Sequence, residues 1–245
     1  MSKERIDKLL TDSGFASSRT KAQAMVMAGI VLIEERRVEK ASERFEKDAT
    51  IRIKGASIEN KYVSRGGLKL EAALSAFETD PSGTRCIDVG SSTGGFTDCL
   101  LQHGAASVMA IDVGTNQLDW RLRTDERVTV RENVNARNLK PSDFDHKFDL
   151  AVMDLSFISA TKVLPAIVPL LRDDAHMIVL IKPQFEVGRD EVGKGGIVRD
   201  TAKHDRVVGE VNEFAGQLGL KVSGIIESPI LGAEGNKEFL AHYGR

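Results

Sequence analysis

The segment DVGSSTGGF, Asp88 to Phe96, constrains this chain more than any other stretch of it. Ahead of it the run TRCIDV is short, apolar and ends in an acid, as a buried parallel strand does. Behind it FTDCLLQHGA carries apolar residues at helical spacing. A strand that enters a helix through Gly90, Gly94 and Gly95 keeps Cβ atoms out of the turn, so a ligand can approach the backbone amides at the helix N-terminus. The next apolar run, SVMAID, ends at Asp112 and sets a second carboxylate at the neighbouring strand tip, the place of the ribose hydroxyls in nucleoside-binding folds of this kind. The competing reading of the turn is a glycine bend in an α/β domain with no ligand.

Glycine spacing discriminates between cofactors. A dinucleotide fingerprint needs G-x-G-x-x-G, whereas here Gly90 is followed by Ser91, Ser92 and Thr93 before Gly94 and Gly95. No Lys follows the paired glycines, so the loop that grips ATP phosphates is unsupported as well. A nucleoside cofactor needing little phosphate neutralisation remains, and S-adenosyl-L-methionine is one. The expected contacts are the amides from Gly90 to Phe96 at the methionine end, Asp88 orienting the amino group through the loop, and Asp112 with Val113 at the ribose.

Bulk properties suit a soluble enzyme of a reducing, cytoplasmic compartment. The longest stretch free of charged residues, Cys99 to Ile111, has thirteen residues, against roughly 18 for a membrane span. MSKERIDKLL lacks the apolar core of a signal peptide. Cys86 and Cys99 flank the turn without metal spacing, and the five His residues form no H-E-x-x-H pattern, so no metal is expected.

The chain divides into residues 1–54, a linker at 55–63 and an α/β domain at 64–245. In the first part Arg5 to Leu10 reads as a short helix with Ile6, Leu9 and Leu10 inward, ended by Gly14. A second helix, capped by Ser17 or Ser18, turns Ala22, Met25 and Val26 to one side and closes at Gly29 before the strand IVLI. Thr50 to Ile53 alternate as a strand does. Through Lys61 the chain carries thirteen Lys and Arg against ten Asp and Glu, a net +3 that opposes −5 for the remainder. A charge difference of this size is also what a solvated helix face produces.

Downstream, KYVSRGGLKLEAALSAF places Leu70, Ala73, Leu74 and Phe77 on one stripe with Lys69 off it, after a turn at Arg65, Gly66 and Gly67. FDLAVMDL ends a strand at Asp154, ISATKVLPAIVPLL is expected to follow as a helix, and HMIVLIKPQFE ends a strand at Lys182. In a doubly wound sheet the carboxyl ends of strands converge on the ligand crevice, which brings Asp154 and Lys182 beside the glycine turn. Asp154 could instead cap a helix and Lys182 could snorkel, but a Lys closing the run MIVLI is costly without a polar partner. VSGIIESPI and EFLAHY read as a terminal strand pair, with Glu238 opening the second. Phe157 and Phe185, just past the strand ends, are either core aromatics or platforms for a splayed-out base.

Two resemblances join these parts. RIDKLLTDSGFASSRTKAQAMVMAGIVLI resembles the S4 RNA-binding domain, with Arg5, Ser18, Arg19, Ala22, Gly29 and Val31 at matching positions. The resemblance implies that Arg19 and Lys21 face phosphates; Arg5, Arg36, Arg37 and, in the following domain, Arg65 are further candidate RNA contacts. One departure is the hairpin, Glu34-Glu35-Arg36-Arg37 where that family commonly turns on Asn-Gly. Lys69, Asp154, Lys182 and Glu238 resemble the Lys-Asp-Lys-Glu tetrad of FtsJ-like RNA 2′-O-methyltransferases, and the whole chain is similar to the TlyA family, described both as haemolysins and as rRNA (cytidine-2′-O)-methyltransferases. The motifs that carry this are VSRGGLKLEAAL, IDVGSSTGGFTDCLL, AIDVGTNQL, MDLSFIS, IKPQFEVG and GNKEF.

That family implies a class I, Rossmann-like methyltransferase fold with a seven-stranded, mostly parallel sheet behind a small α+β S4 domain. It also implies S-adenosyl-L-methionine as methyl donor, ribosomal RNA or a ribosomal subunit as partner, and Asp154 touching the cofactor as well as the tetrad. Short termini imply 23S rather than 16S rRNA. A ribose hydroxyl holds its proton tightly, so the expected task is proton removal and alignment, with Lys182 as general base. The competing classes are a membrane-active haemolysin and an S4-type RNA binder with an inactive methyltransferase fold.

Overall fold

The computed structural model describes residues 3–13, 15–16, 18–33, 36–47, 49, 51–53, 61–232 and 235–245. Gly14, Ser17, Glu34, Glu35, Thr50, Lys54 and the linker through Asn60 lie outside the described residues, so their expected roles are not addressed by it. Two compact units meet the eye, Met1–Lys61 and Tyr62–Arg245.

The first unit runs β1 (Lys3–Arg5), α1 (Ile6–Asp12), α2 (Arg19–Met27), β2 (Val31–Ile33), β3 (Arg36–Arg37), β4 (Arg44–Glu46) and β5 (Ile51–Ile53). β1 pairs with β4, and β2 is the centre of an antiparallel sheet in the order β3-β2-β5. The apolar stripes expected from spacing, Ile6, Leu9 and Leu10 on α1 with Ala22 and Val26 on α2, are buried against Val31, Ile33 and Val38. Ser18 caps α2 by accepting from the Lys21 amide at 3.2 Å. Gly29, at φ +69°, turns the chain out of the helix under the Arg37 guanidinium.

The second unit is α3 (Gly66–Ala76), β6 (Arg85–Val89), α4 (Gly95–Gln102), β7 (Ser107–Ile111), α5 (Trp120–Arg123), β8 (Val128–Arg131), β9 (Phe148–Met153), α6 (Leu164–Ile167), β10 (Leu171–Ile181), α7 (Pro183–Glu186), α8 (Thr201–Gln217), β11 (Lys221–Glu227) and β12 (Phe239–Gly244). Its seven strands are ordered β11-β12-β10-β9-β6-β7-β8. The five from β10 to β8 are parallel, and β12 runs antiparallel to both β10 and β11. Two apolar layers cover the sheet, one with Leu70, Leu74, Phe96 and Leu100, the other with Leu164, Ile167, Val211 and Tyr243. Tyr62 is buried in the first layer and Val63 packs against it, so both belong to this unit although the sequence reading put them in the linker.

Two expectations are corrected. Residues 158–171 do not form one helix: a 3-10 turn at Ala160–Lys162, the four-residue α6 and a second 3-10 turn at Val168–Leu170 replace it. Pro165 and Pro169 are the reason, since each lacks an amide and its ring clashes with the preceding turn. The long helix α8 was not anticipated at all. It starts at Asp200, whose carboxylate accepts from the Ala202 amide at 3.0 Å, and buries His204, Val207, Val208, Val211 and Ala215.

Topology positions the site. From β6 the chain proceeds outward through β7 and β8, then returns to the other side of β6 as β9 and continues through β10. The crevice between the ends of β6 and β9 is therefore the switch point where doubly wound folds hold ligands. Because β12 is antiparallel to β10, with Phe239 opposite Ile181, the residue before β12 sits at the same sheet edge as the residue after β10. Those residues are Glu238 and Lys182.

Candidate active site

Four side chains distant in sequence meet at the carboxyl edge of the sheet as two ion pairs. Lys182 Nζ lies 2.5 Å from Asp154 Oδ1 and donates to Ser156 Oγ at 3.1 Å. Lys69, on the first turns of α3, donates to Glu238 Oε2 at 2.5 Å. Lys69, Asp154, Ser156 and Lys182 line one cavity of about 260 Å³ together with Gly90, Ser91, Ser92, Thr93, Gly95 and Phe96. Lys69, Lys182 and Glu238 are all buried, so neither lysine is a surface residue nor a snorkelling one. The Asp154–Lys182 contact is close but off the hydrogen-bond line, and Asp154 Oδ1 is left buried without a hydrogen-bond partner.

A second cleft, of about 450 Å³, opens from the same turn and is lined by Asp112, Val113, Gln117, Asn135, Arg137, Asp154 and Phe157 among others. Asp112 closes its own loop by accepting from the Ser92 amide at 2.7 Å and the Gly114 amide at 2.6 Å. Val113 is exposed at the rim. Asp88 lies beneath, wholly buried, accepting from the Thr97 hydroxyl at 2.6 Å through Oδ2 while Oδ1 has no hydrogen-bond partner. Burial, with Asp154 and Asp112 nearby, pushes its carboxyl up to about 7, against the pull of Thr97.

The turn is tighter than a simple ligand cradle. A Cβ on Gly90 would lie 2.4 Å from the Asp154 carbonyl oxygen, one on Gly94 would strike Leu122, and one on Gly95 would meet Ser64 Oγ. The glycines thus admit neighbouring chain segments, a packing role beside the ligand approach expected from the sequence. Four amides of the turn are also engaged within the protein: Gly90 and Ser91 donate to the Ile111 carbonyl, Ser92 to Asp112 and Gly94 to the Ser91 carbonyl. Ser92 at φ +47° and Phe157 at φ +65° hold left-handed backbone that side chains disfavour, and both border the clefts. Phe157 is 90% exposed, which rules out the core reading for it, and its ring centroid is 5.1 Å from that of the half-buried Phe185.

The remaining candidates are spread more widely. Arg65 is exposed at the rim of the first cavity and donates to the Leu231 carbonyl at 2.9 Å. In the first unit Arg5 and Arg19 converge on Asp7, fully buried, at 2.9 and 3.2 Å. The Arg5 guanidinium above all, with Gln23 and Arg19, holds the Asp7 carboxyl well below the usual range against its burial. Arg36 lies 3.8 Å from Glu43, and Arg36, Arg37 and Lys21 are exposed. Ser156, Ser64, Gln117, Asn135 and Arg137 were not singled out from sequence. Ser156 had a signal, two residues after the strand-end acid in MDLSFIS. Among the described residues no cluster of His, Cys, Asp and Glu is placed to hold a metal ion.

Residues 62–245 match the sequence profile of the FtsJ-like methyltransferases, and residues 4–51 that of the S4 domain. The TlyA protein of Mycobacterium tuberculosis, named a 16S/23S rRNA (cytidine-2′-O)-methyltransferase, is 45% identical over 235 residues, 96% of this chain and 87% of its own. The chain belongs to the TlyA family of FtsJ-like methyltransferases. Another member, hemolysin A of Brachyspira hyodysenteriae, is 40% identical over 98% of this chain and 99% of its own. A solved structure from Streptococcus thermophilus, described as a candidate hemolysin, superposes with a TM-score of 0.76 at 44% identity, covering all of this chain and 89% of that one. The TlyA family thus accounts for both units, and the fold it shares is the class I methyltransferase sheet behind an S4 domain. Among the described residues no helix is long and apolar enough to cross a membrane.

Proposed function

We propose that this enzyme transfers a methyl group from S-adenosyl-L-methionine to the ribose 2′-hydroxyl of a cytidine in ribosomal RNA, 23S first and 16S as the further candidate. The observation that carries it is the pair of ion pairs, Lys182–Asp154 and Lys69–Glu238, beside the glycine turn. The donor set fits the cofactor. Asp88 keeps a buried carboxylate oxygen without a hydrogen-bond partner, and the Asp154 carboxylate borders both clefts, which suits a ligand that is cationic and carries N–H donors. Thr93, Gly95 and Phe96 would meet its methionine end, and Asp112 its ribose. When bound, the cofactor supplies a methyl group already activated by its sulfonium charge.

The chain's own part is placement and proton removal. Lys182, fixed between Asp154 and Ser156, takes the proton of the 2′-hydroxyl as a neutral amine, having first released its own ammonium proton to solvent, a role typically worth about 10²- to 10⁴-fold. Lys69 and Glu238 orient the sugar from the other side, and alignment of oxygen with the methyl contributes through effective concentration. Phe157 and Phe185 offer a face on which an unpaired base can stack. Arg5, Arg19, Lys21, Arg36, Arg37 and Arg65 engage phosphates. The residues Met1 to Lys54 act as the RNA-binding domain and 62–245 as the methyltransferase, joined by a linker. We place the protein in the cytoplasm with the ribosome.

Incubation of the purified protein with radiolabelled cofactor and ribosomal subunits tests the reading. Label is expected in RNA and no leakage from dye-loaded liposomes. Leakage without labelled RNA would favour the membrane-active reading instead.

A further inference from the structure

We infer that Asn236 is a positioning residue of the active site, a clasp that joins loop 193–198 to the segment bearing Glu238 and so fixes the Lys69–Glu238 pair. Its kinetic consequence rests on the methyl-transfer reading above. Asn236 is 1% exposed, in a stretch with no regular secondary structure. Its side-chain Nδ2 donates to the Gly196 carbonyl at 2.9 Å, and its Oδ1 accepts from the Val198 amide at 2.9 Å. Its own carbonyl accepts from the Gly232 amide at 2.9 Å. A carboxamide satisfied at both ends by backbone some 40 residues away is a structural tie, because buried polar groups left unmet are rare.

What the tie holds is the position of Glu238. The antiparallel ladder of β12 with β10 begins at Phe239, so Glu238 stands just outside it. On the ladder side its carbonyl accepts from the Ser228 amide at 2.8 Å, and on the other side, past the exposed Lys237 paired with Glu227 at 3.1 Å, the next buried anchor is Asn236. Gly232, whose amide the Asn236 carbonyl holds, stands behind the carboxylate: a Cβ on it would lie 2.4 Å from Glu238 Oε1. Glu238 Oε2 in turn holds the Lys69 amine. Loop 193–198 is a sound anchor because the buried His204 of α8 donates through Nε2 to the Val198 carbonyl at 2.8 Å. Asn236 touches no reacting group itself and acts through Glu238.

Four chains decide it: Asn236→Ala, the conservative Asn236→Asp, Glu238→Gln and the Asn236→Ala/Glu238→Gln double variant, each checked by thermal melting. Turnover on ribosomal subunits is expected to fall about 10²-fold in Asn236→Ala, the size of effect that a displacement near 1 Å causes. The dissociation constant for S-adenosyl-L-methionine stays unchanged, and the double variant is no slower than Glu238→Gln alone. Acetylation of the intact proteins, mapped by mass spectrometry, is expected to modify Lys69 more readily in both Asn236 variants while Lys237, an exposed neighbour, stays the same. Additive losses in the double variant, or Lys69 acetylation no different from the parent's, overturn the inference. If Asn236→Ala does not fold, Asn236→Asp gives both readouts. Absence of transfer by the parent protein would refute the proposed function alone, and Lys69 acetylation would still decide the clasp.

Discussion

Lys182→Ala is expected to reduce methyl transfer by about 10²- to 10⁴-fold, the range for a positioned base, while calorimetry finds the cofactor bound nearly as before. Lys182→Arg should be as inactive, because a guanidinium keeps its proton at every accessible pH. Equal loss of transfer and cofactor affinity would make Lys182 a cofactor ligand instead. Asp88 gives a second prediction. Its carboxyl is raised from 3.8 to about 7 in the folded chain, so between those values the folded state holds a proton that the unfolded state has released. Stability contributed through this group is therefore present at low pH and lost as pH rises through that window. Asp88→Asn should raise the melting temperature at pH 8 with little change at pH 4, and weaken cofactor binding at pH 8. A variant with an unaltered pH profile of melting would contradict the buried, protonated carboxyl.

At the scale of elements, Gly94 joins α4 to α5. It sits at φ +97° and its missing Cβ leaves room for Leu122 Cδ1, which would otherwise lie 2.2 Å away. Gly94→Ala is expected to destabilise the unit by roughly 1–3 kcal/mol of backbone strain and to raise the cofactor dissociation constant, measured by chemical denaturation and calorimetry. Gly83, also at positive φ but with open space around it, should lose stability on substitution without affecting the cofactor. The glycine run was readable as a turn before a helix because spacing alone specifies it. What the glycines pack against was not, since Leu122 comes from a later helix, Leu118 from the loop before it and Ser64 from an earlier segment. Strands β7, β9 and β10 were legible as apolar runs followed by a charge, Asp112, Asp154 and Lys182, and β6 as a run with Asp88 as its penultimate residue. The helix drawn over 158–171 failed because two prolines override an apolar pattern that otherwise looks helical. α8 was missed despite its stripe of Val207, Val208, Val211 and Ala215 and its cap at Asp200, all signals of an ordinary amphipathic helix.

Taken as a whole molecule, the chain holds two units, each with its own apolar core. A fragment starting at Tyr62 should therefore fold and bind S-adenosyl-L-methionine with unaltered affinity, while its RNA affinity drops and varies less steeply with salt, because fewer cations displace counterions from the phosphates. Titration of ribosomal RNA at several salt concentrations checks this, and an unchanged slope would remove the first unit from RNA binding. The tetrad was legible only through family resemblance plus the rule that strand ends converge. Composition and periodicity do not reveal that β12 runs backwards beside β10, which is what delivers Glu238 to Lys69. Mass-spectrometric mapping of 2′-O-methyl nucleotides on 23S and 16S rRNA, in cells carrying the parent gene, the Lys182→Ala gene or neither, bears most directly on the catalytic assignment. A methylated cytidine present only with the parent is the predicted result, and an identical methylation map in all three strains would contradict it.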